Sequence, residues 1–288
     1  MSHAAVHDSE KHQPCKNENL KEEKNQNLTA LVTGASSGLG EAMSRLLAEK
    51  GHGLVLVSEN AAELNRVRLS IKQYHPVKIE IIPADLTMQD SADKVYKTCS
   101  EKNIRVDVLV NCAGIYANTE IEIKDPRRAE DLLNIHVISL TKLCFLFGRD
   151  MIVRRAGFIL NVASITAFFT DPASLTYGPS KNYIYSFSRA LHCDWKEHNV
   201  KVTCALPGGI ATNFFQTNEV FIPGILRKIL LTPERCAAIC LNALFKGKRY
   251  VIPGIAGKLQ ALGFWIIARP IFYRFVRRIY FSLKKSAP

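Results

Sequence analysis

From residue 28 onward the chain alternates short apolar runs with longer amphipathic ones. Runs at 30–34, 53–58, 78–85, 106–114, 157–164, 200–208 and 249–254 read as strands, and segments 38–50, 60–74, 89–102, 127–154, 176–198 and 233–245 read as helices. Several strand runs, such as "GLVLVS", are apolar at consecutive positions, the pattern of strands covered on both faces. Strand and helix in regular alternation predict an α/β fold, a doubly wound parallel sheet of about seven strands. Right-handed crossovers then gather the carboxyl ends of the strands on one edge, where ligands bind.

The flanks differ from this body. Residues 1–27 lack aliphatic periodicity and an apolar signal core, so they read as a disordered polar tail. Residues 28–257 form the predicted domain, and 258–288 a basic amphipathic extension. The formal net charge is +12, yet from Lys246 onward there are ten bases and no acid, so the basicity belongs to the C-terminal end. If helical from Pro270, that end puts Phe272, Phe275, Val276, Ile279 and Leu283 on one side and Arg274, Arg277 and Arg278 on another. An apolar stripe beside a cationic face suits peripheral contact with an anionic internal membrane; the competing readings are docking on a homodimer partner or on its own domain. No run approaches the ~18 apolar residues of a spanning helix. Charge confined to a tail without a reading motif argues against nucleic acid as a partner. Eight cysteines without CxxC pairs or Cys/His ligand spacing argue against disulfides and metal, and fit buried thiols in a reducing, cytoplasmic compartment.

Chemistry enters at the strand ends. Thr33-Gly34-Ala35-Ser36-Ser37-Gly38-Leu39-Gly40 follows the first strand and opens the first helix. Gly34 allows a tight turn, Gly38 the approach of a pyrophosphate, and Gly40 close helix–strand packing; the helix N-terminus then favours an anion. A ligand-free turn is the competing reading, and a Walker-type loop is disfavoured because no Lys-Ser/Thr pair follows. Asp85 and Leu86 close the third strand, Asn111, Ala113 and Gly114 the fourth, and Pro207 and Gly208 the sixth, all on the ligand edge. Ser164 ends the fifth strand, and Tyr177 and Lys181 lie one turn apart on the next helix. A nearby ammonium lowers a phenol's pKa, which would bring Tyr177 toward acid–base work with Ser164 beside it.

With these residues in place, the sequence resembles the short-chain dehydrogenase/reductase family over nearly all of residues 28–254. The family's TGxxxGxG is Thr33 to Gly40, and its NNAG is Asn111-Cys112-Ala113-Gly114 with one substitution. Its Ser, Tyr and Lys match Ser164, Tyr177 and Lys181, and Asn134 in "LLNIHV" matches the helix asparagine of a proton relay. "PGGIAT", Pro207 to Thr212 with Ile210 inside it, matches the loop over the nicotinamide, and "TPERCA" at 232–237 matches a helix start that follows it.

The resemblance implies a Rossmann-like fold and hydride transfer between a nicotinamide and a carbonyl or carbinol carbon. It gives Tyr177 the proton, Ser164 the oxyanion, Lys181 the ribose and the Tyr177 pKa, and Asn134 the relay water. Cys112 departs from the pattern: a side-chain hydrogen bond would be lost while the backbone role survives.

Glu59, at the end of the second strand, suits a ribose 2′-OH and repels a 2′-phosphate, so NAD(H) is favoured narrowly over NADP(H). Residues 213–231 would cover the substrate, and Phe214, Phe215, Phe221 and Ile222 make that lid apolar. An apolar ketone or alcohol (steroid, retinoid or fatty-acyl derivative) fits better than a sugar. The alternative to an enzyme is a catalytically idle, dinucleotide-binding scaffold or sensor. The intact set Asn134, Ser164, Tyr177 and Lys181 argues against it.

Overall fold

The computed structural model describes residues 27–117, 123–168, 175–211 and 230–266. Strands β1 (Thr29–Thr33), β2 (Gly53–Ser58), β3 (Ile79–Pro83), β4 (Val108–Asn111), β5 (Gly157–Val162), β6 (Val200–Ala205) and β7 (Tyr250–Val251) form one sheet. Its order is β3-β2-β1-β4-β5-β6-β7, and every neighbouring pair is parallel. The crossovers carry α1 (Gly38–Glu49), α2 (Ala61–Lys72), α3 (Ser91–Glu101), α4 (Pro126–Leu133), α5 (Leu140–Val153), α6 (Tyr177–Trp195) and α7 (Pro233–Phe245). Helix α8 (Ile255–Ile266) follows β7. The chain first lays strands outward from β1 to β3, then returns to place β4 on the other side of β1. That reversal opens a crevice at the carboxyl ends of β1 and β4.

Period-two alternation in the central strands feeds two cores. Leu31, Leu109 and Ile159 face Leu143, Phe147 and Met151 of α5 and Ile184 and Trp195 of α6. Their neighbours Ala30, Val32, Val108, Val110 and Leu160 face Met43 and Leu47 of α1, Leu64 of α2 and Leu241 and Leu244 of α7. Helix starts carry readable caps: Asn60 accepts from the Glu63 N–H at 3.0 Å, and Thr232 from Arg235 at 3.3 Å with Pro233 in the first turn.

The expected elements and the folded ones differ in several places. The single helix expected over 127–154 is α4, a π-helical turn at Asn134–Ser139, and α5. Pro126–Val153 is by length and composition able to cross a bilayer, contrary to expectation. Leu140, Leu143, Cys144, Phe147 and Met151 nevertheless pack in the core, which marks this stretch as core helix. The strand expected at 249–254 shrinks to Tyr250–Val251 before Pro253 and Gly254, whose φ is +79°. Helix α8 was not expected, and the boundary drawn after residue 257 falls inside it. The expected N-terminal tail, the expected lid with Thr212, and the amphipathic end beyond 266 lie outside the described residues. Cys99, Cys144, Cys204, Cys236 and Cys240 are buried free thiols, while Cys112 is half-buried and Cys193 exposed.

A buried polar chain ties β4 and β5 to the helices above them. The Asn111 amide donates to Asn161 Oδ1 at 2.8 Å, and the Asn161 amide donates to Ser188 Oγ on α6 at 3.0 Å. Asn161 is fully buried, so truncating it strands both partners without water to replace them. Asn161→Ala should lower the unfolding free energy by about 2–4 kcal/mol. Urea denaturation measures this, and a loss below ~0.5 kcal/mol would show the chain contributes little.

Candidate active site

The turn after β1 is built for close backbone approach. Gly34 and Gly38 adopt φ of +66° and +56°, where other residues are strained. A β-carbon on Gly34 would lie 2.9 Å from Ala113 Cα, and one on Gly40 only 2.2 Å from the Gly34 carbonyl oxygen. The turn is clamped to the end of β4 by Thr33, whose Oγ1 accepts from the Cys112 and Ala113 N–H groups at 3.0 Å each. These are backbone bonds, so Cys112 leaves the turn intact. Ser37 is extended and makes no side-chain cap to α1, leaving the first-turn amides open to an anion. Leu39 and Gly40 are buried beneath them. The cradle therefore fits a dinucleotide pyrophosphate.

The other strand ends separate into two groups. Asp85 turns onto its own loop, accepting from the Thr87 N–H at 2.9 Å and the Thr87 hydroxyl at 2.7 Å. The Leu86 carbonyl accepts from Ser139 Oγ at 2.7 Å, which fastens this loop to the π-helical turn. Asn111 points inward to Asn161, not to the ligand edge, and is 4% exposed. Its side chain is thus turned away from the edge where a cofactor contact was expected. Pro207 accepts from the Ile165 N–H at 3.0 Å and so ties the β6 end to the Ser164 loop. Ile210 bridges Leu231, and a β-carbon on Gly208 would meet Gln260 Oε1 at 3.2 Å and Ile165 Cδ1 at 3.5 Å. Helix α8 thus walls this edge with Gly257 and Gln260, which the sequence did not announce.

At the centre, Ser164 hydrogen-bonds the Tyr177 hydroxyl and accepts from the Thr166 N–H at 3.2 Å. Lys181 Nζ lies 5.4 Å from the Tyr177 ring centroid and donates to the Val162 carbonyl at 3.3 Å. Tyr116, after β4, sets its ring edge-on to Tyr177 at 5.1 Å, a contact the sequence reading missed. The expected lowering of the Tyr177 pKa is not what this geometry gives. Burial pushes the phenol up to about 12, against the lowering effect of the Ser164 bond. The ammonium sits over the ring rather than against the oxygen, where it would favour the phenolate. Burial also pushes Lys181 down to about 8.

Asn134 starts the π-helical turn half-buried, and no hydrogen bond joins its side chain to the Ser164–Tyr177–Lys181 cluster. Two residues on, His136 does reach the cluster. It is 1% exposed, with its ring edge-on to Tyr177 at 5.7 Å and Nδ1 at 3.0 Å from Ser180 Oγ.

At the end of β2, Ser58 Oγ pairs with Ser36 Oγ at 2.9 Å, and Glu59 is exposed. Arg66 of α2 brings a cation to this corner, donating to the Ser36 carbonyl at 3.2 Å. It also pairs with Glu41 at 2.8 Å and Glu63 at 2.7 Å, which raise its pKa.

The model of the short chain dehydrogenase family matches residues 28–220. Very-long-chain 3-oxoacyl-CoA reductase of Rattus norvegicus is 29% identical over 264 residues, covering 89% of this chain and 82% of that protein. 17-beta-hydroxysteroid dehydrogenase type 3 of Homo sapiens is 26% identical over 269 residues, with the same 89% and 82% coverage. In fold, the chain matches a short-chain dehydrogenase from Sphingobium yanoikuyae in complex with NADPH, with a TM-score of 0.73 at 24% identity over 82% of this chain and 92% of that one.

The buried ammonium has a consequence for stability. Its pKa falls from 10.5 unfolded to about 8 folded, so below pH 8 the native state carries the full desolvation cost. As pH rises from 8 to 10.5 the folded protein sheds this proton first, and stability rises. Lys181→Met should therefore stabilise the cofactor-free protein by roughly 2–3 kcal/mol at pH 7, a gain that shrinks toward pH 10.5. Thermal unfolding across that range measures it; a pH-independent effect would contradict the assignment.

Proposed function

This chain belongs to the short chain dehydrogenase family and is an NAD(P)-dependent oxidoreductase, and we propose that it acts on hydrophobic ketones or secondary alcohols of fatty-acyl or steroid type. The observation that carries the reading is the joined set of Ser164, Tyr177 and Lys181 at the carboxyl edge beside the glycine cradle. The dinucleotide supplies or takes up the hydride at its nicotinamide ring. Ser164 holds the substrate oxygen against the Tyr177 hydroxyl, which gives that oxygen its proton in reduction and removes it in oxidation. A phenol kept protonated by burial holds the proton that reduction delivers to the substrate oxygen. Lys181 supplies the positive charge that the phenolate needs when the proton leaves.

Support for an apolar substrate comes from the half-buried Tyr116 ring beside Tyr177 and from the buried Ile165 side chain at the Gly208 edge. The rat and human relatives, by their names, act on an acyl-CoA and a steroid. Coenzyme choice turns on the β2 corner. Arg66 is held by Glu41 and Glu63, and Glu59 adds a third carboxylate, so a dianionic 2′-phosphate meets a corner already rich in acid. We therefore keep NAD(H) as the preferred coenzyme.

Tyr177→Phe should lower kcat by at least ~100-fold on a panel of hydrophobic ketones while coenzyme still binds. Nicotinamide absorbance and fluorescence titration separate the two, and a variant with wild-type turnover would sink the assignment. Glu59→Arg should move the NADP(H)/NAD(H) ratio of kcat/KM upward by roughly 10-fold or more. An unmoved ratio would place coenzyme choice elsewhere.

A further inference from the structure

Arg66, midway along α2, holds the glycine turn by its backbone. Its Nη2 donates to the Ser36 carbonyl at 3.2 Å and to Glu41 Oε2 at 2.8 Å. Its Nε donates to Glu63 Oε2 at 2.7 Å, and its Nη1 reaches Glu41 Oε1 at 3.4 Å. All three guanidinium nitrogens are therefore engaged, by acceptors on the turn, on α1 and on α2. An exposed ion pair alone contributes little, because two long side chains must be held in one geometry. Here a planar fork meets acceptors on three sides, which fixes its orientation.

The Ser36 carbonyl is one edge of a peptide group whose other edge is the Ser37 N–H. That peptide is planar and trans, so the two point in opposite directions. A guanidinium that draws the carbonyl toward α2 therefore aims the Ser37 N–H away from α2. Ser37 is exposed and its side chain makes no cap to α1, so this N–H joins the open amides at the helix N-terminus. Other bonds already fix the start of the turn. The Ala35 N–H donates to the Val57 carbonyl at 3.2 Å, and Ser36 Oγ pairs with Ser58 Oγ at 2.9 Å. Arg66 adds the restraint on the peptide itself.

Charge gives Arg66 a second task at the same place. Glu41 stands in the first turn of α1, where its carboxylate opposes an incoming anion. Arg45 at 2.6 Å and Arg66 at 2.8 Å pair with it and offset that charge. Burial alone would raise the Glu41 pKa, yet the two arginines hold it below the usual range, so the carboxylate stays ionised.

We propose that Arg66 is a positioning residue of the coenzyme cradle: it orients the Ser36–Ser37 peptide so that the Ser37 N–H serves the pyrophosphate, and it masks Glu41 from that anion. The proposal rests on the reading of the cradle as a dinucleotide site. With all three nitrogens engaged, Arg66 is not the receiver of a 2′-phosphate, so NAD(H) and NADP(H) depend on it alike.

Two measurements test this. In the coenzyme-free protein, 15N relaxation of the Ser37 amide should give an order parameter of ~0.85 that falls toward ~0.6 in Arg66→Met. A value unmoved by the substitution overturns the orienting role without reference to coenzyme. In titrations followed by nicotinamide fluorescence, Arg66→Met should weaken NADH and NADPH by the same factor, roughly 10-fold. Adenosine, which lacks the pyrophosphate, should lose less than ~2-fold. Unchanged affinity for both coenzymes overturns the proposal. So does a loss confined to NADPH, which would make Arg66 a 2′-phosphate receiver, or an equal loss for adenosine, which would make it a general prop of the corner. Arg66→Lys keeps the charge without the fork, and its loss should fall between wild type and Arg66→Met. A lysine variant that binds as tightly as wild type would overturn the orienting role. Failure of the wild type to bind either coenzyme, with the relaxation result intact, would instead count against the dinucleotide reading.

Discussion

A lysine ammonium, 5% exposed at the carboxyl edge of the sheet, sets the conditions for everything around it. Taking that charge out of water is unfavourable, and burial alone drags its pKa to about 8. The fold tolerates it because β5 presents a carbonyl at Val162 and α6 presents the Tyr177 ring face. The penalty is a form of preorganisation. A charge held in low dielectric acts more strongly on its neighbours than it would in water.

The position of that charge follows from topology. Seven parallel strands send their carboxyl ends to one edge, and the reversal between β1 and β4 opens the crevice there. Thr33 closes the crevice floor by joining the glycine turn to Cys112 and Ala113, and Gly34 permits an approach that a side chain would block. Asn111 and Asn161 then hold β4 against β5, so that the Ser164 loop and the turn after β4 stay in register. Each of these contacts is far apart in sequence and adjacent across the sheet.

Much of this was legible in the chain. The run "GLVLVS" is apolar without interruption because both of its faces are covered, and its predicted limits match β2. The glycine spacing and the Tyr177–Lys181 interval place those residues by local geometry alone. What was not legible depends on geometry that no residue type announces. A π-helical turn at Asn134–Ser139 brings His136 against Tyr177 and Ser180, a contact that no residue type announces. Helix α8 has mostly apolar positions without a sharp period, and its role follows from what Gly208 leaves uncovered. The Tyr177 pKa was misjudged because adjacency on a helix does not say whether an ammonium meets a phenol's oxygen or its face.

Cys112 shows why a departure from the family pattern is tolerated at this site. A thiol replaces an amide beside Lys181, and a thiolate there would quench the ammonium on which the chemistry draws. Burial prevents this: it pushes the Cys112 thiol up to about 12, and the Lys181 charge lowers it only in part. Cys204, on the other side of the same lysine, is held neutral in the same way. His136 completes the pattern, because its ring is also kept uncharged by burial and by the same ammonium. Three groups that could each have carried or cancelled charge are therefore neutral near physiological pH. The cluster keeps one net positive charge, at Lys181.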